Sequence, residues 1–271
     1  AGTAPITVSA AVVDNGRTTA LVKEGAGTLT LAGPVLLTDT ATLNGGVLDL
    51  APTSGVTQTF GSSVAGNSTI IKRGGGNTLF FGANANYAGS IVVSNGILAV
   101  ADSSALGNIA AGTVVTPGGA LALGSALVLG NTAAKDTLVI SEPITIAGSG
   151  PDGLGALRND SLTSQINAFK NLTLSGPATI GGIAPLKAFP LPLTSASSGS
   201  GRFDVRSGTF NFGGNTLTKA GPSAFVISST AITGTTSTVA IDITGGVFGL
   251  DYSDLRGSEA NTLTVRSGTS F

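Results

Sequence analysis

The sequence predicts an all-β chain wound as an elongated parallel β-solenoid, and three observations carry that expectation. The first is a repeat. Residues 23–33 read KEGAGTLTLAG and residues 72–82 read KRGGGNTLFFG, and each is followed by a second phrase, NGGVLDL at 44–50 and SNGILAV at 94–100. Leu29 and Leu79 are 79 − 29 = 50 residues apart, and Leu48 and Leu98 are 98 − 48 = 50 apart. A period of this size marks a repeat architecture and fits about two coils of ~20–25 residues each. The second is a succession of short aliphatic runs that alternate with polar residues and are punctuated by Gly, Asn, Ser or Pro. The third is the scarcity of aromatics, 5% of the chain. Stacked coils with aliphatic ladders suit such an inward face better than a sandwich, which usually carries large aromatics.

In chain order, the expected strands centre on Ile6–Val8, Thr28–Leu31, Val47–Leu50, Ile91–Val93, Ile97–Val100, Leu121–Leu123, Leu138–Ile140, Ile144–Ile146 and Leu172–Leu174. Beyond these come Phe203–Val205, Phe210–Phe212, Phe225–Ile227, Val239–Ile241 and Leu263–Val265. The best helical candidate is Leu154–Lys170, where Leu154, Leu157, Leu162, Ile166 and Phe169 are partly helix-spaced. The chain is expected to form a single solenoid over 1–271, with loop excursions at 151–171 and 185–201. The second excursion follows from the Pro-rich Pro185–Pro192 run and the Ser-rich Thr194–Gly201 stretch. About 12 coils at ~4.8 Å each make a rod of roughly 60 Å.

Composition excludes several functions. Charged residues are 10% of the chain, against ~25% in an ordinary soluble domain. Net charge is −1 with Lys and Arg scattered, which argues against nucleic acid as a partner. The longest apolar stretch, Leu121–Leu129, is broken by Gly124 and Ser125 and falls short of the ~20 residues of a membrane span. No Cys or His is present, which removes disulfides, thiolates and imidazole chemistry. The absence of Cys fits export. Ala1 is not an initiator, so the chain is expected to be processed or cut from something longer, with any signal peptide already gone.

The repeat unit runs Lys-x-Gly-x-Gly-x-Leu-x-Leu-x-Gly, then Asn-x-Tyr-x-Gly, then x-Val-x-x-Gly-x-Leu-x-Val, then Ala-Leu-Gly. One copy carries nearly all of it, through Lys72, Gly74, Gly76, Leu79, Gly82, Asn84, Tyr87, Gly89, Val93, Gly96, Leu98, Val100 and Ala105–Gly107, with one inserted residue at Asn77. An earlier copy keeps Lys23, Gly25, Gly27, Leu29, Leu31, Gly33, Gly46, Leu48 and Leu50 but lacks the Tyr-x-Gly step. A weaker third copy has Lys219, Gly221, Phe225–Ile227 and Gly246–Leu250. This pattern resembles the autotransporter-associated β-strand repeat of bacterial passenger domains, strongly over 70–107. The resemblance implies a right-handed parallel β-helix, located extracellularly on a bacterial surface. In physical terms, alternate Leu and Val would point into the bore and Thr and Asn outward. The glycines would sit at corners, many with positive φ, and Tyr87 would pack over a turn.

No residue pattern demands chemistry. The densest acidic group is Asp251 and Asp254 with Tyr252 and Arg256. Gly148–Gly153 resembles a calcium-binding loop but has one acid, Asp152, where calcium wants six to eight oxygens. No catalytic, metal or cofactor site is therefore assigned, and no cofactor is expected. The expected function is a non-enzymatic structural or adhesive element. One form is a fibre subunit joined head-to-tail through uncapped ends; the other is a passenger stalk presenting a binding loop to a host or surface ligand. The alternative class is a polysaccharide-acting β-helix lyase or hydrolase.

Overall fold

The fold, seen in a computed structural model, is all-β and parallel, a β-solenoid of about nine turns with no helix among the described residues. The structure describes residues 3–14, 17, 20–124, 137–161, 163–185, 201–235, 240–253 and 262–265. Each full coil crosses three faces. The first coil holds β1 (Ile6–Val8), β2 (Val12–Val13) and β3 (Val22–Glu24) on faces 1, 2 and 3. The next two coils repeat this with β4 (Thr28–Leu31), β5 (Val35–Leu37) and β6 (Ala41–Asn44), then β7 (Val47–Leu50), β8 (Thr57–Phe60) and β9 (Val64–Gly66). β10 (Thr69–Lys72) and β11 (Asn77–Phe80), β12 (Ile91–Val93) and β13 (Gly96–Val100), and β14 (Thr113–Val115) and β15 (Gly119–Leu123) continue faces 1 and 2. Across these coils face 3 thins to an isolated bridge between Gly66 and Tyr87.

Beyond them the strands lengthen and run through corners. β16 (Ile140–Gly148) and β17 (Leu157–Asn159) are followed by β18 (Gln165–Gly181), which serves all three faces in turn. β19 (Arg202–Asn211) then covers faces 3 and 1. β20 (Leu217–Lys219), β21 (Ala224–Ser228), β22 (Ala231–Thr233), β23 (Ala240–Ile243), β24 (Val247–Asp251) and β25 (Thr262–Val265) complete the stack. These long strands join the ladders into one 22-stranded network, while β3, β6 and β9 remain a separate three-stranded ladder.

The expected dozen coils become about nine because the turns are unequal. Leu29 and Leu48 are in register one coil apart (48 − 29 = 19 residues), but Leu172 and Phe210 span 210 − 172 = 38. At ~4.8 Å per coil the rod is roughly 40 Å long. The helix-spaced segment from Leu154 is extended instead. Leu157–Asn159 pairs with β15 and Gln165 onward with β19, so this part of 151–171 belongs to the ladder. Asn159 Oδ1 accepts from Ser161 N and Oγ, a local turn that competes with helix. The 185–201 excursion lies almost wholly outside the described residues.

One continuous core fills the bore. Face 1 contributes Leu48, Ile70, Ile91, Ile144, Leu172 and Phe210 to one register column, with Thr113 between Ile91 and Ile144. The C-terminal coils depart from the expected aliphatic filling. Phe203, Phe225 and Phe248 stack in register on face 3, with ring centroids 5.1 and 6.2 Å apart. A second apolar cluster, Leu79, Ile97, Ala99, Ala101, Ala120 and Ala122, lies on the outer side of face 2.

Leu79 corrects the expected alternation. Phe80 belongs to the bore, so on a strand of period two its neighbour Leu79 faces out, while Thr78 faces in. Counted from the lysine, the two phrases 23–33 and 72–82 are equally long, so Asn77 is no insertion and Thr78 and Phe80, not Leu79, take the places of Leu29 and Leu31; a one-residue slip exchanges the two sides of a strand. In the first copy Leu29 and Leu31 do pack on the bore.

Candidate functional site

The repeat motif builds corners. Lys72 ends β10 on face 1, turned inward and fully buried. Its Nζ donates to the carbonyl of Gly74, two residues on, and to that of Asn95 in the next coil at 2.9 Å. Lys23 on face 3 donates to Gly25 and Gly45 in the same way. Lys219 on face 2 donates to Ala220 at 2.6 Å, Gly221 at 3.1 Å and Gly245 at 3.2 Å. Each ammonium therefore ties the turn it starts to the turn stacked above it. Desolvation pulls Lys72 down to about 8 and Lys219 to about 7.

This geometry explains why both phrases share one period. The second phrase is the upper layer of the corner whose lower layer is the first. Gly96 stacks on the Lys72–Gly76 turn with φ +67, and a Cβ there would collide with the carbonyls of Gly74 and Gly76. Gly46 and Gly246 hold the equivalent places at φ +66 and +67. From β4 to β11 the chain passes seven strands, which on three faces is two coils and one further face. The 50-residue period is thus not a whole number of coils. The three motif lysines lie on three different faces, and the structure does not bring them together into one site.

The remaining motif residues also serve stacking. Asn84 Oδ1 accepts from Val64 N at 2.6 Å, and its Nδ2 donates to Ala105 O at 2.5 Å. Asn84 thereby links three coils where face 3 lacks a strand. Tyr87 lies deeper than expected. It is buried in the core, with its hydroxyl donating to Ser68 O at 2.6 Å, and burial drives its phenol far upward. Gly33, Gly74, Gly76, Gly82 and Gly89 each pass so close to the carbonyls of the coil below that a side chain would not fit, without positive φ. Gly25 and Gly221 do take positive φ, at 78° and 69°. Leu98 faces the bore.

Sequence reasoning missed the buried ion pairs. Asp204 is enclosed between Arg202 and Arg206, both at 2.8 Å. Arg158, 1% exposed, pairs with Asp160 at 2.6 Å and Asp152 at 2.8 Å. The single acid of the 148–153 loop is therefore engaged by an arginine. Burial raises Asp160 and Asp204 despite these partners. The signal for the first cluster was present, since Arg-x-Asp-x-Arg places three charges on one side of a strand. Of the acidic group near the C-terminus, Asp251 accepts from Ser228 Oγ at 2.8 Å, while Asp254 and Arg256 lie outside the described residues. Among the described residues no three acidic side chains cluster to hold a metal ion.

Described residues line two cavities of about 280 Å³ each. One lies at the first coil, between Ile6, Val22, Lys23 and Leu29. The other opens at the corner from face 3 to face 1, between Ser103–Gly107 and Val139–Glu142, with Ile109 at its rim. Glu142 alternates with Ile140 and Ile144 and so turns inward, 3% exposed. Its Oε1 accepts from Thr113 Oγ1 at 2.6 Å, but its Oε2 has no hydrogen-bond partner among the described residues. Burial pushes the carboxyl up to about 7.

Compared with protein-family models, curated proteins and solved structures, the chain matches none.

Proposed function

We propose that this chain is a non-enzymatic structural element of an extracellular bacterial surface, of the autotransporter-associated repeat type, and that stacking is its function. The observation that carries this reading is the corner lysine. The repeated unit uses its lysine three times for the same task, capping carbonyls of two successive coils. The acids speak the same way, because Asp49, Asp152, Asp160 and Asp204 are all ion-paired with arginine. In the assembling form of this reading, a copy docks head-to-tail on the first coil. There β1, β2 and β3 each pair on one side only among the described residues, beside exposed Ile6, Val13 and Val22. Such a contact does not close and so generates a filament.

Electron microscopy over a concentration series tests it. Filaments with a repeat near one rod length support assembly. Discrete rods at every concentration leave the stalk form, whose partner is then a host or surface ligand. Cleavage of pectin-like or other glycans by the purified chain overturns the non-enzymatic reading.

A further inference from the structure

Glu142 is anomalous among the buried charges. Lys72 and Lys219 have several carbonyl acceptors, and Asp160 and Asp204 have arginines. Glu142 has one hydroxyl, and no cationic side chain pairs with it among the described residues. Leaving a buried carboxylate oxygen unpaired is expensive, so such an atom calls for an explanation. Here the Glu142 side chain lines an open cavity, with Oε2 itself closed to solvent. The cavity exists because face 3 carries no strand between the Tyr87 bridge and Ile140. Residues 103–107 turn instead, held by Ser104 N and Oγ donating to Asp102 Oδ1 at 2.9 Å and Val139 N donating to Ser103 Oγ at 3.0 Å.

We propose that this corner cavity binds a primary alkylammonium group, with Glu142 as its counter-ion and Ile109 and Val139 against its alkyl chain. The donor set selects the ligand. Calcium needs six to eight oxygens, and this site offers one free carboxylate oxygen among hydroxyls. A guanidinium prefers both carboxylate oxygens, but Thr113 holds one of them. An ammonium is a compact point charge on a slender stem and matches a single free oxygen. The inference is independent of assembly and goes beyond the structural reading.

The test titrates the full chain with n-butylammonium chloride at about pH 8.5, where both partners are charged, by calorimetry. Saturable binding is expected, with n-butanol giving none. Glu142→Gln is nearly isosteric, and binding to it should weaken at least tenfold. Val139→Phe fills the cavity while leaving the carboxylate, and it too should abolish binding, so the proposal remains testable should the first variant fail to fold. Absence of saturable binding to the natural chain overturns the proposal, as does equal affinity in either folded variant. A lysine-containing tetrapeptide and free putrescine separate the sources. Binding of the peptide assigns a protein lysine, and binding of putrescine alone assigns a free amine.

Discussion

Lys72, Lys219 and Glu142 carry charge into a bore filled mainly with Leu, Ile, Val and Phe, and their protonation is therefore linked to folding. Glu142 is raised from 4.5 to about 7 by burial. Between those values the folded chain keeps a proton that the unfolded chain has released, so stability falls as pH rises. Asp160 and Asp204, also raised by burial, act in the same direction. The lysines are lowered from 10.5 to about 8 and about 7. From there to about 10.5 the unfolded chain holds protons that the folded chain lacks, so stability rises with pH. These groups together predict a stability minimum near neutral pH. Urea midpoints measured against pH should show it, and Glu142→Gln should flatten the acid limb; a curve rising steadily throughout would refute the linkage. The corner glycines give a second test. Gly153 and Gly96 both have φ near +70 to +80, but only Gly96 is crowded by backbone. Gly153→Ala should cost about 1–2 kcal/mol from the left-handed backbone alone. Gly96→Ala should cost clearly more in the same denaturation experiment, and equal losses would mean that the stacking contact is unimportant.

At the scale of the strand, the same charge chemistry has different consequences on different surfaces. Asp49 on β7 accepts from Thr30 Oγ1 at 2.8 Å and pairs with Arg73, which is 56% exposed. Asp204 on β19 is fully buried between two arginines. Asp49 is itself buried, its side chain 6% exposed, but its arginine reaches solvent, so losing that pair should cost less than the about 3–5 kcal/mol of breaking a fully buried one. Asp49→Asn should thus destabilise clearly less than Asp204→Asn; comparable losses would show that the two environments are not distinct. Register belongs to this scale too. The alternation of β4 was legible because Thr28–Leu31 has no insertion. That of β11 was misread because matching Leu79 to Leu29 sets the pattern one residue out of step with the lysine, and only the pairing of Phe80 with Phe60 and Val100 reveals which side faces the bore.

The whole molecule is quasi-one-dimensional, since each coil contacts mainly its neighbours. Its stability should vary along the axis. Among the described residues, β1, β2 and β3 each have one pairing neighbour, while β10 to β15 are paired on both sides. Native-state hydrogen exchange should find the lowest protection in the first coil and the highest in β10–β15; uniform protection along the rod would indicate a single cooperative unit instead.

The sequence by itself determined that this chain is all-β, repetitive and coiled, because aliphatic alternation and glycine punctuation act locally. It also marked the residues that build the corners, Lys72, Gly74, Gly96, Asn84 and Tyr87, because close backbone approach and buried hydrogen bonds restrict residue type. The tertiary structure alone decided that the 50-residue period is two coils and one face, since that depends on how many strands close a coil. It alone placed Arg158 beside Asp160 and left Glu142 Oε2 without a hydrogen-bond partner among the described residues. Those outcomes depend on which coil stacks on which, and long-range register is written in the summed packing of all the coils rather than in any one segment.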